Sequence, residues 1–338
     1  MKTTNETKTL SNGVVIPSLA LGTWLVCDSV VVDAVKSAVT LGYRHVDTAQ
    51  AYGNEKGVGE GIRNSGVSRD KLFVTSKVAA EYKTYGEVKE SIERSLSVMK
   101  LDYIDLMLIH SPQPWKYVNQ SDDRFLEGNR EAWRALEDAY RDGKVRAIGV
   151  SNFEVGDIEN IWDNSSVKPM VNQMLCHISN TPLKDIEYSQ RKGMVVEAYS
   201  PVAHGEAMKN PVIRDIAASY GVTVPQLCIR YCLSRPCRTS EDDRFRPYEG
   251  EYRTRLHNQP RRYGKTEENR EDKGLRRCFL LPRLRRPSLT SSIISCTWHF
   301  RLGVPFQSVI AQPPLARSYT ASFFFGRFRF LCKALYLI

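Results

Sequence analysis

Short apolar runs alternate with helix-like stretches seven times along residues 1–235, and this alternation constrains the fold more than any other feature of the sequence. Alternating strands and helices predict a parallel sheet with crossover helices. A hairpin is expected first, at the Ser-Asn-Gly string of residues 11–13. The expected strands are residues 18–24, 44–48, 72–78, 104–110, 145–152, 169–174 and 194–200. The expected helices are residues 30–41, 54–64, 85–99, 130–142, 155–162, 182–192, 211–220 and 224–234.

Two architectures share this alternation, and the glycines help to separate them. A doubly wound sheet carries a Gly-rich phosphate loop directly after its first strand. The string Gly22-Thr23-Trp24 is no such loop, and the glycine run at residues 57–61 follows the second strand with the wrong spacing. Close helix packing explains that run better. Seven units of this size predict the α/β class and a (β/α)8 TIM barrel in residues 1–235, for which an eighth unit is needed.

Polar or aromatic residues stand at or near the end of every predicted strand. They are Trp24, Asp47, Tyr52, Lys77, His110, Ser151, Asn152, Gln173 and Tyr199. Catalytic residues of such barrels lie at the C-terminal ends of the strands. Taken singly, Asp47 could cap a helix, Lys77 could be a solvated charge, and His110 or Tyr52 could be part of the core. Their joint occurrence at successive strand ends predicts a functional site instead.

Five short strings carry a family resemblance. They read DTAQAYGNE at residues 47–55, TSK at 75–77, LIH at 108–110, GVSNF at 149–153 and VNQ at 171–173. In this order they resemble the aldo-keto reductase family, and most closely the bacterial and fungal branch that includes 2,5-diketo-gluconate reductases. The resemblance covers about residues 8–235. It implies a cytoplasmic, monomeric enzyme that uses NADPH to reduce an aldehyde or ketone to an alcohol.

The chemistry of carbonyl reduction suits four of these residues. The reaction needs a hydride at carbon and a proton at oxygen, but a tyrosine with an ordinary pKa of about 10 is a poor acid at neutral pH. A nearby ammonium can lower that pKa by about 1–3 units. We therefore expect Tyr52 to be the general acid, with Lys77 tuning it, Asp47 orienting Lys77, and His110 donating a hydrogen bond to the substrate carbonyl. The resemblance implies the same roles.

The resemblance also implies which residues contact the cofactor and the substrate. Matches to Ser151, Asn152 and Gln173 bind the nicotinamide carboxamide in the family, and the match to Tyr199 stacks under the ring. The full expected cofactor set is Gly22, Thr23, Ser151, Asn152, Gln173, Tyr199 and Ser200. Trp24 and Trp115 resemble aromatics of the substrate pocket, although Trp115 lies in a variable loop that it could merely anchor. The spacing of the eight cysteines predicts no metal site.

The net charge of +10 is confined to the last third of the chain. Residues 1–235 hold 28 Lys and Arg against 29 Asp and Glu, whereas residues 236–338 hold 20 against 9. An Arg-rich stretch at 261–286 could be a nucleic-acid patch, and residues 323–338 could be a membrane-surface segment. We expect neither nucleic acid nor a membrane as a partner, since the charge has a simpler explanation. The polar N-terminus predicts no secretory signal.

That simpler origin is a shift of the reading frame. The family continues after the last recognisable helix with an eighth strand, whose basic and hydroxyl residues hold the 2′-phosphate of NADP. This chain reads Pro-Cys-Arg-Thr-Ser-Glu at residues 236–241 instead. A one-base shift of permitted codons turns residues 248–259 into MKENTELDFTIS and residues 240–248 into QKTTDSGPM, and both strings resemble that family segment.

We therefore predict that residues 236–338 form a largely disordered, out-of-frame tail and that the barrel lacks its eighth strand. Two strand edges would then stay unpaired, and the residues that bind the 2′-phosphate of the cofactor would be missing. Low or no turnover is expected from the chain as written. The alternative function is a reductase-like protein that does not catalyse and at most binds nucleotide weakly.

Overall fold

A closed barrel forms the centre of the described part of the chain. The computed structural model describes residues 6–118, 120–234 and 335–337. The β-hairpin of β1 (Thr7–Thr9) and β2 (Val15–Pro17) comes first, and the left-handed φ of +86° at Gly13 makes its turn. Seven parallel barrel strands follow: β3 (Leu19–Gly22), β4 (His45–Asp47), β5 (Phe73–Val78), β6 (Leu106–Ile109), β7 (Ile148–Ser151), β8 (Val171–Leu175) and β9 (Val195–Tyr199). The TIM-barrel prediction is confirmed for these seven strands.

Helices surround the barrel at the predicted places. They are α1 (Asp28–Thr40), α2 (Glu55–Arg63), α3 (Tyr85–Met99), α4 (Leu126–Arg141), α5 (Val155–Asp163), α6 (Leu183–Arg191), α7 (Pro211–Ser219) and α8 (Val224–Ser234). The largest difference from the sequence prediction is at α4, which begins at Leu126 rather than at residue 130. An Asp123 carboxylate that accepts from the Phe125 amide fixes the turn before it.

The helix sequences explain their docking. Thr84 and Glu87 form a reciprocal capping box at the start of α3, and one face of that helix buries Val88, Ile92 and Met99. A Cβ atom at Gly59 of α2 would come within 2.1 Å of the backbone oxygen of Met99. The glycine run of residues 57–61 therefore serves close helix packing, as expected. No described helix is long and apolar enough to span a membrane.

The eighth barrel position is filled, contrary to the expectation of two unpaired edges. Strand β10 (Leu335–Leu337) lies between β3 and β9 and pairs with both in the antiparallel sense, with Leu335 opposite Leu21 and Leu337 opposite Ala198. It is therefore not the parallel eighth strand of a TIM barrel. A strand of either direction satisfies the exposed N–H and C=O groups of the two edges, which explains why a short segment closes the barrel. The rest of the predicted tail lies outside the described residues.

Candidate active site

Backbone strain concentrates where the barrel strands end. Of the seven described non-glycine residues with a positive φ, five follow barrel strands: Leu25 after β3, Asn152 after β7, and Ser200, Ala203 and His204 after β9. The other two, Lys100 and Phe125, cap helices α3 and α4. Such conformations cost free energy and persist where the surrounding structure enforces them, often at functional sites. Two of these residues, Asn152 and Ser200, belong to the expected cofactor set. The strain therefore marks the same end of the barrel as the sequence.

Lys77 is at the centre of the expected catalytic group. Its Nζ forms a buried ion pair with Asp47, donates to the Thr48 carbonyl oxygen at 2.9 Å, and lies 3.4 Å from the Tyr52 hydroxyl. The strand register explains the meeting, because Asp47 of β4 is opposite Thr75 of β5, and Lys77 is two residues further along on the same face. The structure thus brings together three of the four expected residues.

The charge on Lys77 is stabilised although the residue is buried. Burial opposes the ammonium form, but the negative Asp47 and the interaction with Tyr52 outweigh it and raise the pKa of Lys77 above its ordinary value. A full positive charge is therefore held beside the Tyr52 hydroxyl. This is the arrangement that favours ionisation of a phenol.

A polar network that the sequence analysis missed fixes the segment carrying Tyr52. Gln50, two residues before Tyr52, donates to the hydroxyls of Ser91 and Ser95 on α3 and accepts from the Ala79 amide. Glu55 accepts from Ser76 at 2.6 Å and from Ser95 at 3.2 Å. Gln50 and Glu55 of the DTAQAYGNE string were the sequence features that could have revealed this network. Both hold the short 3-10 turn Gln50–Tyr52 between β5 and α3.

His110 completes the group from the end of β6. Its ring lies 5.6 Å from that of Tyr52, measured between centroids. Burial, and to a smaller extent the positive Lys77, holds the pKa of His110 well below its ordinary value. The imidazole is therefore neutral at physiological pH. Its Nδ1 atom is buried without a hydrogen-bond partner in the described part of the chain.

Three of the expected cofactor residues form one hydrogen-bonded chain. The Tyr199 hydroxyl donates to Asn152 Oδ1 at 2.7 Å, and Asn152 Nδ2 donates to the His110 carbonyl oxygen at 2.9 Å and to Ser151 Oγ at 3.1 Å. Ser151 accepts this bond and keeps a proton that it can donate. Donor and acceptor groups are thus placed beside an aromatic ring, which fits a planar carboxamide-bearing ring such as nicotinamide.

The remaining expected cofactor residues lie nearby but play different parts. Thr23, next to Gly22, donates from its hydroxyl to the Asp47 carbonyl oxygen at 3.0 Å, which ties the end of β3 to β4. The Ser200 hydroxyl lies 3.4 Å from His204 Nε2. Gly22 is opposite Asp47 in the register and brings no side chain to that position.

Gln173 is engaged in an unexpected way. Its Nε2 donates both to Asp47 Oδ2 at 2.9 Å and to Glu197 Oε2 at 2.6 Å. Glu197 is 2% exposed and its other oxygen has no hydrogen-bond partner within the described residues. Glu197 was not singled out from the sequence, although the period of two along β9 puts it on the same face as Tyr199. The barrel interior therefore holds two carboxyl groups rather than one.

Each of the two expected substrate aromatics contacts a histidine ring. The Trp115 ring meets His110 edge-on at a centroid distance of 5.0 Å, and the Trp24 ring meets His204 at 5.2 Å. His204 was not singled out from the sequence. Trp115 thus contacts His110 of the expected catalytic group directly, beyond any part it plays in holding its own loop.

Comparisons with known proteins identify the family of the chain. The sequence model of the aldo/keto reductase family matches residues 18–242. The chain is 44% identical over 230 residues to an uncharacterized oxidoreductase of Bacillus subtilis, YtbE, covering 67% of this chain and 78% of that protein. It is 41% identical over 229 residues to a glyoxal reductase of the same organism, covering 68% and 79%. A methylglyoxal reductase of Escherichia coli, DkgA, is 34% identical over 226 residues, covering 66% and 78%.

Solved structures give the same result. An aldo/keto reductase from Brucella melitensis matches with a TM-score of 0.61 and 34% identity, covering 68% of this chain and 84% of that one. A Bombyx mori aldo-keto reductase in complex with NADP matches with a TM-score of 0.59 and 32% identity, covering 68% and 80%. Fold, strand-end residues and sequence similarity agree, and the chain belongs to the aldo/keto reductase family.

Proposed function

We propose that the active site of this protein is built for the NADPH-dependent reduction of an aldehyde or ketone to an alcohol, with Tyr52 as the general acid. The observation that carries the proposal is the position of the Lys77 ammonium, 3.4 Å from the Tyr52 oxygen and paired with Asp47. Relatives named for glyoxal and methylglyoxal reduction support small carbonyl compounds as the substrate class.

Each residue has a defined part in this reaction. The nicotinamide supplies a hydride to the carbonyl carbon when it is bound. Lys77 stabilises the phenolate that remains after Tyr52 gives its proton to the carbonyl oxygen. Asp47 holds Lys77 in place and charged. The neutral His110 donates an N–H to the same oxygen and orients it, while Trp24 and Trp115 border the space for the substrate.

We propose that Ser151, Asn152 and Tyr199 hold the nicotinamide. Ser151 can donate to the carboxamide oxygen, and Asn152 Oδ1 has a second lone pair for the carboxamide nitrogen. The Tyr199 ring offers a flat surface for stacking. Gln173 can contribute only its Oε1 atom without breaking its bonds to Asp47 and Glu197, so its share in carboxamide binding is smaller than the resemblance implies.

We further propose that residues from about 236 onward are translated out of frame. The family match ends at residue 242 of 338, which supports a change of sequence origin close to that point. We expect the protein to lack the contacts that bind the 2′-phosphate of NADPH. Sequencing the underlying locus tests this directly, and an uninterrupted frame with this same tail in several relatives would contradict it.

The function is tested with the full-length purified chain, expected to be a cytoplasmic monomer without nucleic-acid or membrane partners. Quenching of protein fluorescence on NADPH titration measures binding, because we expect Trp24, Trp115 and Tyr199 to lie near the bound ring. Oxidation of NADPH with methylglyoxal, followed by absorbance, measures turnover. We expect binding that is weaker than in intact relatives, and low turnover.

Tyr52→Phe serves as the matched variant. Loss of the general acid should lower whatever turnover the chain has by about 10²–10⁴-fold, since that is the usual contribution of positioned proton transfer. Nucleotide binding should be retained. Turnover that survives in the variant would contradict the role of Tyr52, and binding without turnover in the unmodified chain would favour a non-catalytic nucleotide-binding protein.

A further inference from the structure

The barrel interior contains a second carboxyl group that the proposed reaction does not use. Glu197 of β9 is directly opposite Gln173 of β8 in the strand register. The single amide nitrogen of Gln173 bridges Glu197 and Asp47, at 2.6 Å and 2.9 Å. Glu197 is therefore one side chain away from the Asp47–Lys77 ion pair. Both carboxyl groups compete for the positive charge of one lysine.

The hydrogen bonds favour a proton on Glu197 rather than on Asp47. Asp47 is paired with Lys77 and accepts from Gln173, so its negative charge is compensated. Glu197 Oε2 accepts from Gln173, whereas Oε1 is buried with no partner among the described residues. A buried carboxylate oxygen without a donor is costly, whereas a protonated carboxyl group removes the charge. Glu197 is thus a neutral acid beside a charged pair.

We infer that Glu197 is a positioning residue of this site: its protonated carboxyl group keeps the Asp47–Lys77–Tyr52 cluster free of excess negative charge, and its ionisation makes Tyr52 a weaker acid. The inference rests on the proposed function, because it concerns the acidity of the proposed general acid. Glu197 acts through Gln173, Asp47 and Lys77 and does not contact the substrate.

The charges around Glu197 determine when it ionises. Burial raises its pKa to about 8, the negative Asp47 of β4 adds to this rise, and the bond from Gln173 and the positive Lys77 of β5 oppose it. Ala20 and Gly22 of β3, opposite His45 and Asp47, bring no titratable group. The buried His45 of β4 is neutral, because burial lowers its pKa to about 3. Ionisation therefore falls just above neutral pH. The added negative charge then opposes formation of the Tyr52 phenolate.

Glu197→Gln tests this inference, since the amide reproduces the neutral carboxyl group in size and in its bond from Gln173. The readout is the near-ultraviolet absorbance of tyrosinate during alkaline titration, with the Tyr52 signal isolated by subtracting a Tyr52→Phe background. We expect Tyr52 to ionise about half a unit to one unit lower in pH in the Glu197→Gln protein, since the opposing charge is gone. An unchanged Tyr52 titration would overturn the inference.

A second measurement tests the protonation state directly. At neutral pH, the infrared carbonyl band of protonated carboxyl groups should be weaker in Glu197→Gln than in the unmodified protein. Glu137→Gln is the matched control: Glu137 is also a buried glutamate, but on the outer helix α4, where it accepts from Ser166 and Val167. This control should leave the Tyr52 titration unchanged. The same band in all three proteins would overturn the inference.

Neither measurement needs turnover, so failure of the proposed function is distinguishable from failure of this inference. Where turnover is measurable, kcat should begin to fall at a lower pH on the alkaline side of its pH profile in Glu197→Gln. The shift should equal that of the Tyr52 titration. A purely structural role for Glu197 predicts a loss at all pH values with no such shift, and that result would count against the inference.

Discussion

The buried ion pair of Asp47 and Lys77 allows a quantitative test of the site by a double-mutant cycle. Both side chains are 1% exposed, so neither charge is compensated by water. Lys77→Met removes the ammonium and leaves the Asp47 carboxylate with Gln173 as its remaining described donor. It also removes the donor of the Thr48 carbonyl oxygen. Breaking a buried pair from one side costs about 3–5 kcal/mol.

That cost is a large share of the total, because a domain of this kind is stable by about 5–15 kcal/mol. Asp47→Asn combined with Lys77→Met removes both charges, and the new amide can still accept from Gln173. Only the lost hydrogen bond to the Thr48 oxygen remains, at about 1–3 kcal/mol. We therefore expect the double variant to be more stable than Lys77→Met alone, by about 2 kcal/mol.

The free energy of unfolding is measured by urea denaturation, followed by circular dichroism. Lys36→Met on the exposed face of α1 is the control and should change stability by about 0.5 kcal/mol or less. The Lys77→Met protein should become more stable on mild acidification, because protonation of Asp47 removes the uncompensated charge. A cost below about 1 kcal/mol for Lys77→Met, or a double variant as unstable as the sum of the single ones, would refute the reasoning.

Three further predictions concern other parts of the barrel. Tyr199→Phe removes the bond to Asn152, so we expect several-fold weaker NADPH binding by fluorescence titration, with an unchanged circular dichroism spectrum. The native state keeps the Glu197 proton up to about pH 8, whereas the unfolded chain releases it near 4.5. The free energy of unfolding should therefore fall by several kcal/mol as the pH rises between these values. In urea titrations, Glu197→Gln should show a smaller dependence on pH. Deleting residues 335–338 removes β10 and leaves two edges unpaired, which should lower the thermal midpoint and increase light scattering.

The sequence was sufficient to predict the site residues that differ in polarity from the strands that carry them. Asp47, Lys77 and His110 are polar residues that end apolar strands, and the parallel barrel brings such ends together whatever the loops do. The structure brings all three close to Tyr52. Helix ends were predicted less well, as at α4, because local turns such as that at Asp123 decide them.

Glu197 and the closing strand were harder to predict, for different reasons. Glu197 is one polar residue inside an apolar strand, and only the alternation along β9 places it inside the barrel. Its pairing with Gln173 follows from the register, which the sequence does not give. Strand β10 has three residues, too few for any periodicity, and it runs against the direction that the preceding seven units predict.

The position of the site within the chain separates two causes of low activity. All the residues proposed for the chemical step come from β4 to β9, within the described barrel, whereas the expected 2′-phosphate contacts belong to the segment after residue 235. If the contacts to this remote group stabilise the ground state and the transition state equally, their loss raises the NADPH concentration that is needed and leaves the rate at saturation unchanged. A barrel that fails to close would instead misplace Tyr199 and Asn152 on β9 and β7, and through Asn152 the backbone of His110, so that no cofactor concentration would restore the rate.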